Sequence, residues 1–270
     1  TMTESGATFE PVVFAFGGIL TGTAVSGTGK VTVNMSGITV DGNSRVPNPT
    51  ARRAVGVLFR NIIGSFEHGA VLNMGYSTAS LFSACILTYG SLDATFHGNT
   101  ISGYAAVGIG INGVALPNIE HAVIDDNTIN GTTTISSVGT NGIQVGYGST
   151  GHVTNNRVTN NHIVNNSGGI YIVSAPGVIV DGNTVTGNDL GIVVQGLETI
   201  INGFEYSTNT TIRNNTVTGN LQRGISIDRR STDTLIEKNT ITGNNYGIVV
   251  GTAIAGRINP TGTVIHNNAI

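Results

Sequence analysis

Asp228-Arg229-Arg230, followed by Asp233, is the densest run of ionic side chains in a sequence where only 10% of residues are Asp, Glu, Lys or Arg. Two nearby segments add to it: 197–209 carries Glu198, Glu205 and Tyr206, and 252–262 carries Arg257. Such a set can act on a sugar acid. An arginine neutralises the uronate carboxylate while a side-chain carboxylate takes the adjacent proton, as a lyase or epimerase requires. A hydrolase needs two carboxylates about 5 to 10 Å apart across the scissile bond, and Asp228 with Glu198 or Glu205 is the pairing on offer. Asp228, Arg229, Arg230, Glu198 and Glu205 are therefore the candidate catalytic residues, with Tyr206 and Arg257 beside them for substrate. The plain alternative for the same run is a solvated surface turn.

What must position these residues is a repeat. Residues 234–250 read TLIEKNTITGNNYGIVV and residues 178–194 read VIVDGNTVTGNDLGIVV. Two landmarks align the copies. One is an Asn followed two residues later by an apolar residue: Asn61, Asn99, Asn127, Asn161, Asn183, Asn215, Asn239 and Asn268. The other is a Gly that opens the next strand: Gly69, Gly108, Gly142, Gly169, Gly191, Gly224 and Gly247. The first and third residues after each Gly are apolar, as in Ile192 and Val194 or Ile225 and Ile227. Period two marks a strand with one face inside. No segment has the apolar spacing of a long helix.

A chain of short strands that repeats itself must coil, each turn pairing in parallel with the turns above and below. The expected fold is all-β, a single right-handed parallel β-helix over 1–270, with 1–30 as an opening coil and 31–270 as repeats. About nine coils at the strand spacing of about 4.8 Å make a rod of roughly 40 Å. Inward asparagines at the corner should hydrogen-bond one another in a ladder, because buried amides need partners. The recurring Gly suits positive φ or crowded backbone. Pro47 and Pro49 mark 44–50 as a loop, 132–137 reads as an insertion, and 74–98 is long enough for an extra coil or a side loop.

The repeat predicts which residues point outward. The second and fourth residues after each Gly give Asn112, Gln144, Tyr171, Gln195, Ser226 and Asp228, with Tyr147 adjacent. This neutral-polar stripe suits sugar hydroxyls, through amide hydrogen bonds and ring stacking. Another outward column (His97, Asp125, Asp181, Arg213, Glu237, His266) reads as a charge ladder, pairing Asp181 with Arg213 and Arg213 with Glu237. Asp125-Asp126 is a weak candidate for Ca²⁺; the histidines share no zinc spacing, and no other cofactor is expected. Thr100, Thr128, Thr184, Thr216 and Thr240 form a single column, short of the flat array an ice-binding face requires.

A net charge of −3 with no basic run argues against a nucleic-acid partner, and no apolar run is long enough for a membrane span. The lone Cys85, among apolar neighbours, reads as a small buried hydrophobe. Asn267 to Ile270 stop partway into a turn, which predicts either a trimmed chain or an end covered by a second copy or a neighbouring domain.

These features resemble the pectate-lyase-like β-helix superfamily. GNTVTGN at 182–188 is similar to repeats in polysaccharide lyases, mannuronan epimerases and surface proteins, and residues 38–43, ITVDGN, resemble the segment that begins the helix in many of them. The resemblance implies an extracellular or cell-surface protein with polysaccharide along the post-Gly face. It departs from the superfamily where the Gly-Asp-Gly cap, the Asp-Pro-His epimerase signature and the polygalacturonase signatures are missing. Two functions remain open: a protein that binds or processes a uronate-containing polysaccharide, or a non-catalytic structural or adhesive module of a larger surface protein.

Overall fold

The computed structural model describes the chain except for residues 1, 5–6, 22–23, 27–28, 44–51, 76–82, 91–92, 114–120, 132–139, 160, 162–167, 199–204 and 252–255. The loop expected at 44–50, the insertion at 132–137, the middle of the 197–209 segment and the first four residues of the 252–262 segment lie outside the described residues. All regular structure among the described residues is strand.

The strands stack into three long sheets of ten, nine and eight strands. One turn of the chain shows the order. Ser83–Tyr89 lies in the first sheet, Asp93–His97 in the second and Thr100–Ser102 in the third, and Val107–Asn112 returns to the first beside Ser83–Tyr89. Pairing within the three sheets is parallel, except that Met2–Glu4 runs antiparallel to Ala7–Phe16 at the start of the first. The nine remaining strands of that sheet match the expected coil number. Within the stretch expected as an opening coil, Ala7–Phe16 is a rung of the first sheet, paired in parallel with Arg52–Arg60. The long stretch before Asn99 holds an extra coil, since Ser83–Tyr89 is a full rung of the first sheet.

Alternation drives the stacking. Ile86, Ile109, Ile143, Ile170, Ile192 and Ile225 lie in register along the first sheet, and all are buried. Phe66 and Phe96 pair in the second sheet, and Phe59 meets Phe96 with ring centroids 5.9 Å apart. Apolar inward residues stack from coil to coil into one continuous cluster, although the columns are not uniform: Thr88 stands between Phe59 and Ile111.

The asparagine ladder is present, with one member changed. The amide of Asn99 donates to Asn127, Asn127 to Asn156, Asn156 to Asn183, Asn183 to Asn215, Asn215 to Asn239 and Asn239 to Asn268, at 2.9–3.0 Å. Asn156, rather than Asn161, occupies this column. Asn161 starts a second ladder after the third sheet, donating to Asn188 at 2.9 Å, with Asn188 to Asn220 and Asn220 to Asn244 following. Tyr104 caps it, its buried hydroxyl donating to Asn161 Oδ1 at 2.5 Å. Asn156 and Asn161 both satisfy the spacing rule, with Val158 and Ile163 two residues on, which is why the sequence pattern merges them.

The first copy is also shifted. Asn61 sits between the first and second sheets and donates to Gly17 O at 3.2 Å. Gly69 stands in the first ladder, where its amide donates to Asn99 Oδ1 at 2.9 Å. Ala70–Leu72 is therefore a strand of the third sheet, and Val71 points into the core. By strand register the glycine column runs Gly56, Cys85, Gly108, Gly142, Gly169, Gly191, Gly224, Gly247. None of these glycines has positive φ, so crowding is their reason. A Cβ on Gly169 would come within 2.5 Å of Val185 Cγ1 and 2.9 Å of Asn188 Nδ2. Cys85, the exception, is fully buried with its sulfur 3.4 Å from Val71 O.

The third sheet presents two outward hydroxyl-rich columns, not one: Thr184, Thr216 and Thr240 are joined by Thr186, Thr218 and Thr242 two residues on, and Arg157 interrupts the first. On the second sheet the charge ladder is in register. Arg213 Nε binds Asp181 Oδ2 at 2.8 Å, but its other expected partner, Glu237, pairs instead with Lys238 at 4.0 Å and His266 at 3.6 Å.

Candidate functional site

The long strands of the first sheet carry the outward residues singled out in sequence. Gly110, Gln144, Tyr171, Val193 and Ser226 share one column across five coils, and Asn112, Gly146, Val173 and Gln195 share the next. The register is as expected, but the setting is less open. Asn112 is 6% exposed, Gln195 8% and Ser226 1%. Gln144 and Tyr171 keep partial exposure. The stripe is a mostly buried polar seam, and its amides are used internally: Gln144 Nε2 donates to Asn112 Oδ1 at 3.3 Å, and Asn141 Nδ2 donates to Gln144 Oε1 at 3.1 Å.

At the far end of the seam, short extra strands hold three loops together. Ser207–Thr208 pairs in parallel with Ser231–Thr232, which is bridged to Thr261. This fixes the 205–206 segment, the 228–230 turn and the 257–261 segment side by side. Gly196 permits the contact, since a Cβ there would lie 2.5 Å from Arg230 Cβ and 2.4 Å from Glu205 O. Main-chain bonds from Gly196 N to Arg229 O (2.7 Å) and from Leu197 N to Glu205 O (2.9 Å) lock the crossing. Arg230 adopts a left-handed φ of 53° to close the turn.

The candidate catalytic residues converge here, as ion pairs. Glu198 lies among three guanidiniums: Oε1 is 3.1 Å from Arg229 Nε and 3.5 Å from Arg257 Nε, and Oε2 is 3.7 Å from Arg230 Nε. Arg230 also contacts the Glu205 carboxylate, and its guanidinium stacks over the Tyr206 ring, 5.5 Å from the centroid. Asp228 pairs with Arg223 at 3.6 Å, and its Oδ1 accepts the Arg229 amide at 3.2 Å. Four guanidiniums face three carboxylates, so the cluster carries one net positive charge at neutral pH.

Tyr171 joins the seam to this cluster. Burial pushes its phenol well above the usual range; the Arg229 guanidinium opposes this, while Tyr147 and Asp228 add to it. Burial raises Tyr147 too, against the opposing influence of Arg53 and a hydrogen bond with Gln144. Tyr171 is therefore within electrostatic reach of Tyr147, Asp228 and Arg229. Asn112 and Gln144 sit on earlier coils, and Asn112 is three strands from Gln195, about 14 Å at the sheet spacing.

Arg223 and Asn141 were not singled out in sequence. Each stands immediately before a column glycine and reaches the side chain three residues on: Arg223 Nη1 donates to Ser226 Oγ at 3.0 Å, as Asn141 does to Gln144. The signal was available as a polar residue at the pre-Gly position.

Elsewhere, in the Ca²⁺ candidate Asp125-Asp126, Asp125 Oδ1 accepts from Thr154 (2.7 Å) and Asn155 (3.0 Å), and Oδ2 lies 3.0 Å from His97 Nδ1. Among the described residues no group of three or more His, Cys, Asp or Glu side chains converges as metal ligands, and no helix is long and apolar enough to cross a membrane.

Comparison with known proteins locates the chain by fold. The family described as the right handed beta helix region matches residues 84–270. Among solved structures, the Dettilon tailspike protein aligns with a TM-score of 0.55 and 16% identity over 89% of this chain and 54% of its own. The chain thus spans about half the length of that tailspike. A double mutant of the periplasmic alginate epimerase AlgG aligns with a TM-score of 0.54 and 14% identity, over 90% of this chain and 77% of its own. A comparison with curated proteins finds no match.

Proposed function

The chain belongs to the family of right-handed β-helix regions, and on that scaffold we propose that the outer face of the first sheet engages a uronate-bearing polysaccharide outside the cell or at its surface. The observation that carries this reading is the arginine cluster at the end of the polar seam. Arg223, Arg229, Arg230 and Arg257 outnumber their carboxylate partners, and a planar guanidinium fork matches a sugar carboxylate. Tyr206 and Tyr171 supply ring surface beside it, and Gln144 supplies an amide for hydroxyls farther along. The names of two structural neighbours, a tailspike and an alginate epimerase, agree with a polysaccharide ligand; at their identities the likeness itself is one of fold.

Ion pairing favours recognition over turnover. Asp228, Glu198 and Glu205 each hold an arginine, and each must release it before attacking a bond or moving a proton. If the site is catalytic, Asp228 is the base and Arg229 and Arg230 neutralise the uronate carboxylate. The test is a screen of uronate-containing and neutral polysaccharides against wild type, Asp228→Ala and the Arg229→Ala/Arg230→Ala pair. The reading expects binding of the acidic polymers, weakened by salt and lost in the arginine variant. Ultraviolet-absorbing unsaturated products, absent with Asp228→Ala, would identify a lyase. Equal binding by wild type and the arginine variant would contradict the site and leave the structural or adhesive module as the better account.

A further inference from the structure

Glu198 is placed oddly for a structural ion pair. Its side chain is 43% exposed, whereas those of Arg229 and Arg230 are only 18% and 14% exposed. It lies within ion-pair distance of three guanidiniums, which surface salt bridges seldom achieve. Yet the Nε atoms of Arg229 and Arg230 are both sealed from solvent and have no hydrogen-bond partner. The carboxylate is close enough to satisfy charge but not aligned to accept those N–H groups, and buried donors left unpaired are costly.

The main chain explains the misalignment. Leu197, immediately before Glu198, has its amide fixed by Glu205 O at 2.9 Å and Ser174 Oγ at 3.1 Å. Glu198 must therefore reach the arginines from a fixed root. A free carboxylate is not so restrained and can align with a guanidinium edge through two parallel hydrogen bonds. The arginines have supports of their own: the Arg230 guanidinium is held by Glu205 and the Tyr206 ring, and the Arg229 main chain is pinned by the Gly196 amide and by Asp228 Oδ1.

We infer that Arg229, Arg230 and Arg257 form an anion site whose resident occupant is the Glu198 carboxylate, displaced when the carboxylate of a bound uronate takes its place. The choice of uronate rests on the function proposed above; the displacement itself does not. Glu198 then acts as a built-in competitor. It stabilises the empty site and weakens the binding of an isolated anion, while a saccharide held also along the seam offsets that competition.

The experiment compares wild type with Glu198→Asp and Glu198→Gln, using a galacturonate trisaccharide, free glucuronate and inorganic sulfate as probes in titration calorimetry at low salt. Glu198→Asp keeps the charge but withdraws the carboxylate by one methylene, separating reach from net charge. Glu237→Gln, on the second sheet, is the control for loss of one negative charge remote from the cluster. The inference expects both Glu198 variants to bind glucuronate and sulfate about tenfold more tightly than wild type, with Glu237→Gln unchanged. Equal or weaker binding by both Glu198 variants overturns it. A gain with sulfate and glucuronate but no binding of the trisaccharide by any form would uphold the displacement and defeat the polysaccharide reading. Trisaccharide binding by wild type that weakens in both variants would do the reverse.

Discussion

Replacing Asn183 by alanine should cost far more stability than the same change at Asn268, although both belong to one ladder. Asn183 is 1% exposed. Its amide donates to Val153 O at 2.7 Å and to Asn215 Oδ1 at 2.9 Å, and its own oxygen accepts Asn156 N and Nδ2 at 3.0 Å. Alanine removes the acceptor of the Asn156 amide and the side-chain donor to Val153 O. Two buried polar groups stripped of these partners at about 1–3 kcal/mol each give a loss of about 2–6 kcal/mol. Asn215 Oδ1 is spared, because the Asn183 main-chain amide still reaches it at 2.9 Å. Asn268 makes an equivalent set of bonds to Asn239, Ile236 O and His266 O. It lies on a half-exposed coil, where water can replace the side chain, so Asn268→Ala should cost about 1 kcal/mol or less. Equilibrium urea unfolding followed by circular dichroism gives both values from midpoint and slope. A loss below about 1 kcal/mol at Asn183, or equal losses at the two sites, would refute the idea that burial gives the ladder its energetic weight.

Three further outcomes follow from the same geometry. Gly169→Ala should destabilise by about 1–3 kcal/mol through overpacking against Val185 and Asn188, more than Gly219→Ala, whose Cβ meets nothing closer than 3.8 Å and whose left-handed φ of 61° alone is strained; urea midpoints rank the two. Burial pushes the Cys85 thiol far above its ordinary range, so a thiol reagent at mildly alkaline pH should label it only as fast as the chain opens, and labelling at the rate of a free thiol would contradict its place in the core. Burial raises Asp181, but hydrogen bonds from Asn214 and Arg213 and the Arg213 charge outweigh it; burial likewise raises Asp125, against Thr154, Asn155 and His97. Both carboxyls end below the ordinary aspartate value of 3.8. Their stabilisation is complete above that value and is lost as pH falls through the lower folded values, so Asp125→Asn/Asp181→Asn should flatten the acid limb of thermal stability below pH ~4, and an unchanged limb would count against those contacts.

The coil was legible because its rule is local. An inward Ile or Val must recur at every second residue, and six strands of the first sheet repeat it directly after the column glycine. What the rule could not separate were positions with equivalent surroundings. Asn156 and Asn161 each follow a short strand at the same offset and each bonds its counterpart one coil on. A sequence pattern sees one kind of asparagine where the coil has two corners. Gly69 misled for the opposite reason, since there a glycine fills the ladder position that Asn99 fills one coil later. Cys85 left 74–98 open between an extra coil and a side loop, because a residue small enough to stand in the crowded column need not be glycine.

The candidate site was legible as a set of charges but not as a pairing. The run 228–230 is continuous in sequence, whereas its partners arrive from loops of unequal length that no repeat constrains. Whether Glu198 faces Asp228 as a second catalytic carboxylate or faces the arginines as an occupant depends on where the chain is pinned at Leu197 and Gly196. The openness of the stripe was equally out of reach. Alternation says that Asn112, Gln195 and Ser226 point away from the core, but burial of that outer face depends on contacts beyond the repeat.

The account stands most directly on where a saccharide binds. A crystal structure of the protein soaked with a galacturonate oligosaccharide should show a uronate carboxylate on Arg229 and Arg230, the Glu198 side chain turned away, and the sugar chain running past Tyr171 toward Gln144. Saccharide bound instead on the second or third sheet, or none at concentrations that saturate binding in solution, would contradict it.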